Sequence, residues 1–179
     1  MKKSKKNIFS CFCIFAIGII IGFLFLYMHI NISTSDMNFD IDVYESQNKV
    51  LYIFFNNLCV SVLMICGCGV ITIPLLLYQG LQFGALLGVW CSSGLNWLSG
   101  VMLFLPHGIL EIPALILTAS LGNELFFVGK KYFINNENTL KSYFQCNKTK
   151  MILIISLLLF AAFIECFITP RLYGRFFNV

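Results

Sequence analysis

Residues Phe104–Leu121 read FLPHGILEIPALILTASL, and the fold turns on how this stretch is read. It lies in a nearly unbroken apolar run, yet it holds a histidine, a glutamate and two prolines. About 20 consecutive apolar residues cross the hydrocarbon core of a bilayer, so a run of this kind reads as membrane-spanning. An ionisable side chain inside it costs roughly 2.5–3.5 kcal/mol on insertion scales and must find a partner or lose its charge. In a helix starting at Pro106, where proline suits the first turn, His107 and Glu111 stand four apart and share one face. Pro113 would remove a ladder bond, free the carbonyl of Ile109 and kink the helix. The expectation is a bent helix with a polar stripe near its start.

The rest of the chain supports the membrane reading. Of 179 residues, 59% are hydrophobic and 11% charged, against about 25% charged in a soluble domain. Mean hydropathy is +0.85. The net charge of +4 comes from lysine clusters at the N-terminus and in one later segment, so it reports topology and not nucleic-acid binding. Among the eight cysteines, Cys11, Cys13, Cys59, Cys66, Cys68, Cys91 and Cys166 fall in apolar segments, where cysteine acts as a small hydrophobe. No ligand-type cluster surrounds the C-x-C pairs, and no metal or cofactor is expected.

Five spans are expected in a single all-α, polytopic membrane bundle covering residues 1–179. Four lysines in MKKSKKN precede Ile8–Met28, which is roughly 31 Å long as a helix and reads as an uncleaved anchor with its N-terminus cytoplasmic. Its Gly18 and Gly22 form a GxxxG pair. Residues 29–49, with Asp36, Asp40, Asp42 and Glu45, are expected to form an acidic outer loop or a short surface helix. The glycine and terminal glutamate of an EF-hand loop are missing there, so it reads as a solvated loop and not a calcium site.

Leu51–Leu77 is the second span. Asn56 and Asn57 lie near its outer end, within reach of headgroups or of a neighbouring helix. Pro74 and Tyr78-Gln79-Gly80 are expected to end it. Gly80, Gly84, Gly88, Ser92, Asn96 and Gly100 recur every four residues, a small-residue ridge that makes Leu81–Leu105 one unbroken third span with a close helix neighbour. The fourth span is 106–128, kinked at Pro106 and Pro113, with Glu124 near the inner interface. Lys130, Lys131, Lys141, Lys148 and Lys150 make residues 129–150 a cytoplasmic loop. Met151–Ile168 is the fifth span, with Glu165 near its end. The tail, with Arg171 and Arg175, then falls outside, against the positive-inside tendency, unless the last span is re-entrant. Nucleophile-elbow, Walker and zinc-protease motifs are all missing.

At Leu105–Gly122, LPHGILEIPALILTASLG resembles the P-H-G-x-x-E-x-P-A core of the stage II sporulation protein M family of bacterial integral membrane proteins. AAFIECFITP (Ala161–Pro170), FFNNLCVSVL (Phe54–Leu63) and YQGLQFGALLG (Tyr78–Gly88) are similar to further parts of that family, which more often has Asn-Gly where this chain has Gln79-Gly80. The resemblance implies a non-enzymatic component of the cell membrane. In spore formers the namesake holds two peptidoglycan-degrading partners at the septal membrane during engulfment. Short relatives beside ABC-type exporters and in circular-bacteriocin clusters look like secretion or immunity accessories.

Three readings follow. The residues favour a scaffold for membrane or cell-wall-associated partners, such as peptidoglycan hydrolases, in which His107, Glu111 and Glu165 form a buried structural cluster. Glu111 is then either neutral or paired with imidazolium. The second is an accessory subunit of an ABC transporter or an immunity protein. The third is a membrane enzyme or proton-coupled transporter using His107 and Glu111; a metal enzyme generally needs three or more protein ligands, and one histidine lies within the membrane region.

Overall fold

The computed structural model describes residues 2–29, 47–92, 97–135 and 139–172. These form α1 (Lys2–His29), α2 (Gln47–Cys66), α3 (Thr72–Ser92), α4 (Trp97–Asn135) and α5 (Thr139–Phe163). A π-helical turn, Ile164–Ile168, continues α5, and helix then runs on to Leu172. There is no strand among the described residues. All five helices are long and apolar enough to cross a membrane. Every backbone polar group must be satisfied within the protein in lipid, which is why the apolar runs among the described residues are helical.

Several boundaries differ from those that hydropathy suggests. The second span ends at Cys66 and not at Leu77, because the chain turns at Gly67–Ile71, with φ of 44° at Cys68 and 77° at Gly69. The Thr72 hydroxyl closes this turn, accepting from the Gly69 N–H at 3.0 Å and donating to the Met64 carbonyl at 2.6 Å. Pro74 falls in the first turn of α3, where its missing N–H costs nothing. Tyr78-Gln79-Gly80 is therefore helix interior and not a break.

The third span, expected at Leu81–Leu105, is not one described helix: Gly80, Gly84, Gly88 and Ser92 lie in α3, which ends at Ser92, and Gly100 lies in α4, which begins at Trp97. Pro106 does not start a helix either; it and Pro113 both lie inside α4. Interior proline is tolerated in a bilayer when neighbouring helices re-satisfy the freed carbonyl. Residues 129–150 are mostly helix and not loop, since α4 runs to Asn135 and α5 starts at Thr139. The 39 residues of α4 extend about 58 Å, nearly twice the hydrocarbon thickness, so its lysine-bearing end projects beyond the core. The acidic segment 30–46, Asn96 and the tail 173–179 lie outside the described residues.

The closest packing joins α1 to α3. A Cβ on Gly18 would lie 2.6 Å from the Leu77 carbonyl, and one on Gly88 2.8 Å from that of Phe23. At Gly80, Gly84 and Gly22 it would collide with the carbonyls of Phe15, Ile19 and Leu81. The GxxxG pair of α1 and the ridge of α3 are thus two sides of one seam, with backbone against backbone. Ser92, at the far end of the ridge, bonds back to the Val89 carbonyl of its own helix at 3.0 Å.

The middle of α4 is the most buried part of the molecule, with Ala114, Leu115, Ile116, Thr118, Ala119, Ser120 and Leu121 all in the interior. One side of it joins Cys11, Phe15, Met64 and Leu76. The other joins Tyr143, Ile154 and Leu158 of α5. Phe9, Phe25, Leu63 and Phe160 are exposed. An apolar exterior of this extent is what a bilayer would cover.

Candidate functional site

Four helices converge on a polar cavity of about 290 Å³. From α2 come Tyr52, Asn56 and Asn57, from α3 Gln79 and Gln82, from α4 His107 and Glu111, and from the π-helical turn Glu165. His107 and Glu111 lie one helical turn apart in an unbroken stretch of α4, and so reach the same cavity. A π turn carries an extra residue within the hydrogen-bonded ring, and such turns often occur at functional positions. In this one the Thr169 N–H bonds to the Ile164 carbonyl, and the Thr169 hydroxyl adds a second bond to it at 3.3 Å.

The carboxylate of Glu111 accepts a hydrogen bond from the Asn57 side-chain amide at 2.5 Å. This is an interhelical link between α2 and α4 at a depth where an unpaired carboxyl would be costly. His107 is buried, at 8% exposure, and among the described residues its Nδ1 has no hydrogen-bond partner. Its ring meets the edge of Phe104, with centroids 6.2 Å apart, and Phe104 in turn meets Trp90. Glu165 is half-buried on the cavity wall. Sequence reasoning gathered His107, Glu111 and Glu165, and all three line one cavity. It did not foresee that Glu111 would bond Asn57 rather than His107. Among the described residues, no three His, Cys, Asp or Glu side chains come together as a metal site.

A second polar group lies toward the lysine-rich end, and sequence reasoning missed it. The Asn7 side-chain amide donates to the Ser120 carbonyl at 2.9 Å and to its hydroxyl at 3.2 Å. Asn123 donates to Asn7 Oδ1 and to Cys11 Sγ, each at 3.4 Å. Nearby, Lys150 pairs with Glu124 at 3.3 Å, and the Tyr143 hydroxyl donates to the Leu121 carbonyl at 2.8 Å. The available signal was the set of amides and hydroxyls at the edges of apolar runs (Asn7, Ser120, Asn123), since such groups seek partners on neighbouring helices. Gln79 and Gln82 carry the same signal inside a run.

In comparison with known proteins, the family model described as Stage II sporulation protein M matches residues 6–170. Uncharacterized protein MJ0793 of Methanocaldococcus jannaschii is 30% identical over 170 residues, which cover 89% of this chain and 91% of that relative. No solved structure matches.

Proposed function

The chain belongs to the stage II sporulation protein M family, and from that premise we propose that it is a multi-pass scaffold of the cell membrane without chemistry of its own. In this reading its N-terminus is cytoplasmic, as the lysine clusters require. It assembles or anchors partner proteins, most simply those that remodel the cell wall. The observation that carries the reading is the Asn57–Glu111 bond. The carboxyl best placed for proton transfer is spent on joining α2 to α4, as a structural group would be. The seam between α1 and α3 adds to this, since backbone contact along five glycines makes a stiff frame.

The test is affinity purification of the intact protein from its native membrane. Cell-wall hydrolases are expected in the eluate, and their recovery is expected to fall when Glu111 becomes Ala but not when it becomes Gln. Recovery of an ABC-type exporter in their place would overturn the cell-wall assignment in favour of an exporter accessory. A Glu111→Gln protein that accumulates and binds its partners normally, yet loses a transport or enzymatic activity, would overturn the scaffold itself.

A further inference from the structure

At the lysine-rich end of the bundle, α1, α4 and α5 enclose an open cavity of about 460 Å³. Lys6 and Ser10 of α1 and Lys131 of α4 line it, together with the apolar Phe127 and Val128 and the Tyr143 ring. Its one carboxylate, Glu124, is engaged by Lys150 at 3.3 Å. Among the described residues, neither Lys6 nor Lys131 has a carboxylate within ion-pair distance. The Tyr143 hydroxyl is committed to the Leu121 carbonyl, and the Asn7 amide to Ser120. The donors that remain toward the cavity are two ammonium groups and the Ser10 hydroxyl, a set suited to an anion.

The depth of the site identifies the kind of anion. Lys131 lies about 10 Å further along α4 than Glu124, a rise long enough to cross the roughly 5–8 Å polar layer on each side of the hydrocarbon core. Phe127 is exposed beside it, presenting apolar surface on the membrane side of the cations. A free phosphate would use the ammonium groups and leave that surface bare, whereas a phospholipid uses both. We propose that this cavity binds the phosphate headgroup of an anionic phospholipid, held between Lys6 and Lys131 with its acyl chains along Phe127 and Val128. The site is independent of the scaffold role and of which leaflet the lysine-rich end faces.

The experiment is a lipid titration of the purified full chain in detergent, read by native mass spectrometry, with phosphatidylglycerol against phosphatidylcholine. Each lysine near an anionic headgroup is worth about fivefold in affinity, so phosphatidylglycerol is expected to bind about 30-fold tighter. The pair Lys6→Gln and Lys131→Gln is expected to bring the two lipids near parity, each single variant to lose about fivefold, and the Arg pair to keep the preference. Lys148→Gln, at an exposed lysine of α5 away from the cavity, is expected to change nothing. If the single Gln variants keep the wild-type preference, the site is wrong. Complete displacement of the lipid by inorganic phosphate at about millimolar concentration would make the ligand a free anion and overturn the lipid assignment.

Discussion

Replacing Gly18 by alanine inserts one methyl group into the seam between α1 and α3. The new Cβ would sit 2.6 Å from the Leu77 carbonyl oxygen and 3.0 Å from the Gly80 Cα, where ordinary contact begins at 3.4 Å. Both obstacles are backbone, so no side chain can swing aside and the helices must part by about 0.8 Å. A gap of that size forfeits a quarter to a half of each dispersion contact along the seam. With roughly 30–40 atom pairs at about 0.15 kcal/mol each, the loss is about 2 kcal/mol, within the range for overpacked interiors. Gly129 provides the matched control, since a Cβ there meets nothing within 4 Å among the described residues. Alanine at that helical position is expected to be neutral or to stabilise by up to about 1 kcal/mol. Thermal unfolding of the two variants in detergent is expected to separate them, with the Gly18→Ala midpoint lower than wild type by about 4–8 °C. Equal midpoints for Gly18→Ala and Gly129→Ala would refute the claim that the seam is a backbone contact.

Other perturbations test the remaining features. Glu111→Ala leaves the Asn57 amide unpaired and is expected to cost about 1–3 kcal/mol, whereas Glu111→Gln keeps an acceptor and is expected to accumulate normally; membrane protein levels and unfolding midpoints check both. Thr72→Val keeps the shape but strips the bonds to Gly69 and Met64 at a fully buried position, with an expected loss of about 2 kcal/mol, while Thr72→Ser is expected to stay near wild type in the same unfolding assay. In a cysteine-free background, an impermeant thiol reagent applied from outside is expected to label a cysteine placed at Asp40 but not one at Asn136; the reverse pattern would invert the topology.

Hydropathy made the number of spans and their helical character legible, because a bilayer leaves helix as almost the only solution for runs this apolar. Their ends were less legible, for reasons specific to each place. The turn at Gly67–Ile71 was read through because Cys68, Val70 and Ile71 are as apolar as the helices they separate, and hydropathy does not register a positive φ. Pro106 suggested a helix start from a rule learned in water, where an interior proline is costly, and α4 contains it nine residues in. Lysines at 130–150 made a cytoplasmic loop plausible, yet charge beyond the hydrocarbon core is compatible with helix that simply projects further. At the site, spacing on one helix put His107 beside Glu111. The choice of Asn57 as partner depends on how α2 crosses α4, which local spacing does not encode. The four-residue ridge identified a contact face but not its occupant, and it continued to Gly100, which lies in α4 and not in α3.

The seam also constrains the order in which the protein is made. A ribosome delivers α1 first, then α2, and the surface that fits Gly18 and Gly22 does not exist until α3 has left the exit tunnel. During that interval α1 holds its glycine face toward lipid or toward another newly made chain, since GxxxG faces associate with one another when no better partner is present. A nascent chain halted after Cys66 would thus expose an adhesive first helix that the finished protein hides. Completion of α3 amounts to a change of partner, from whatever α1 found in the bilayer to its own chain.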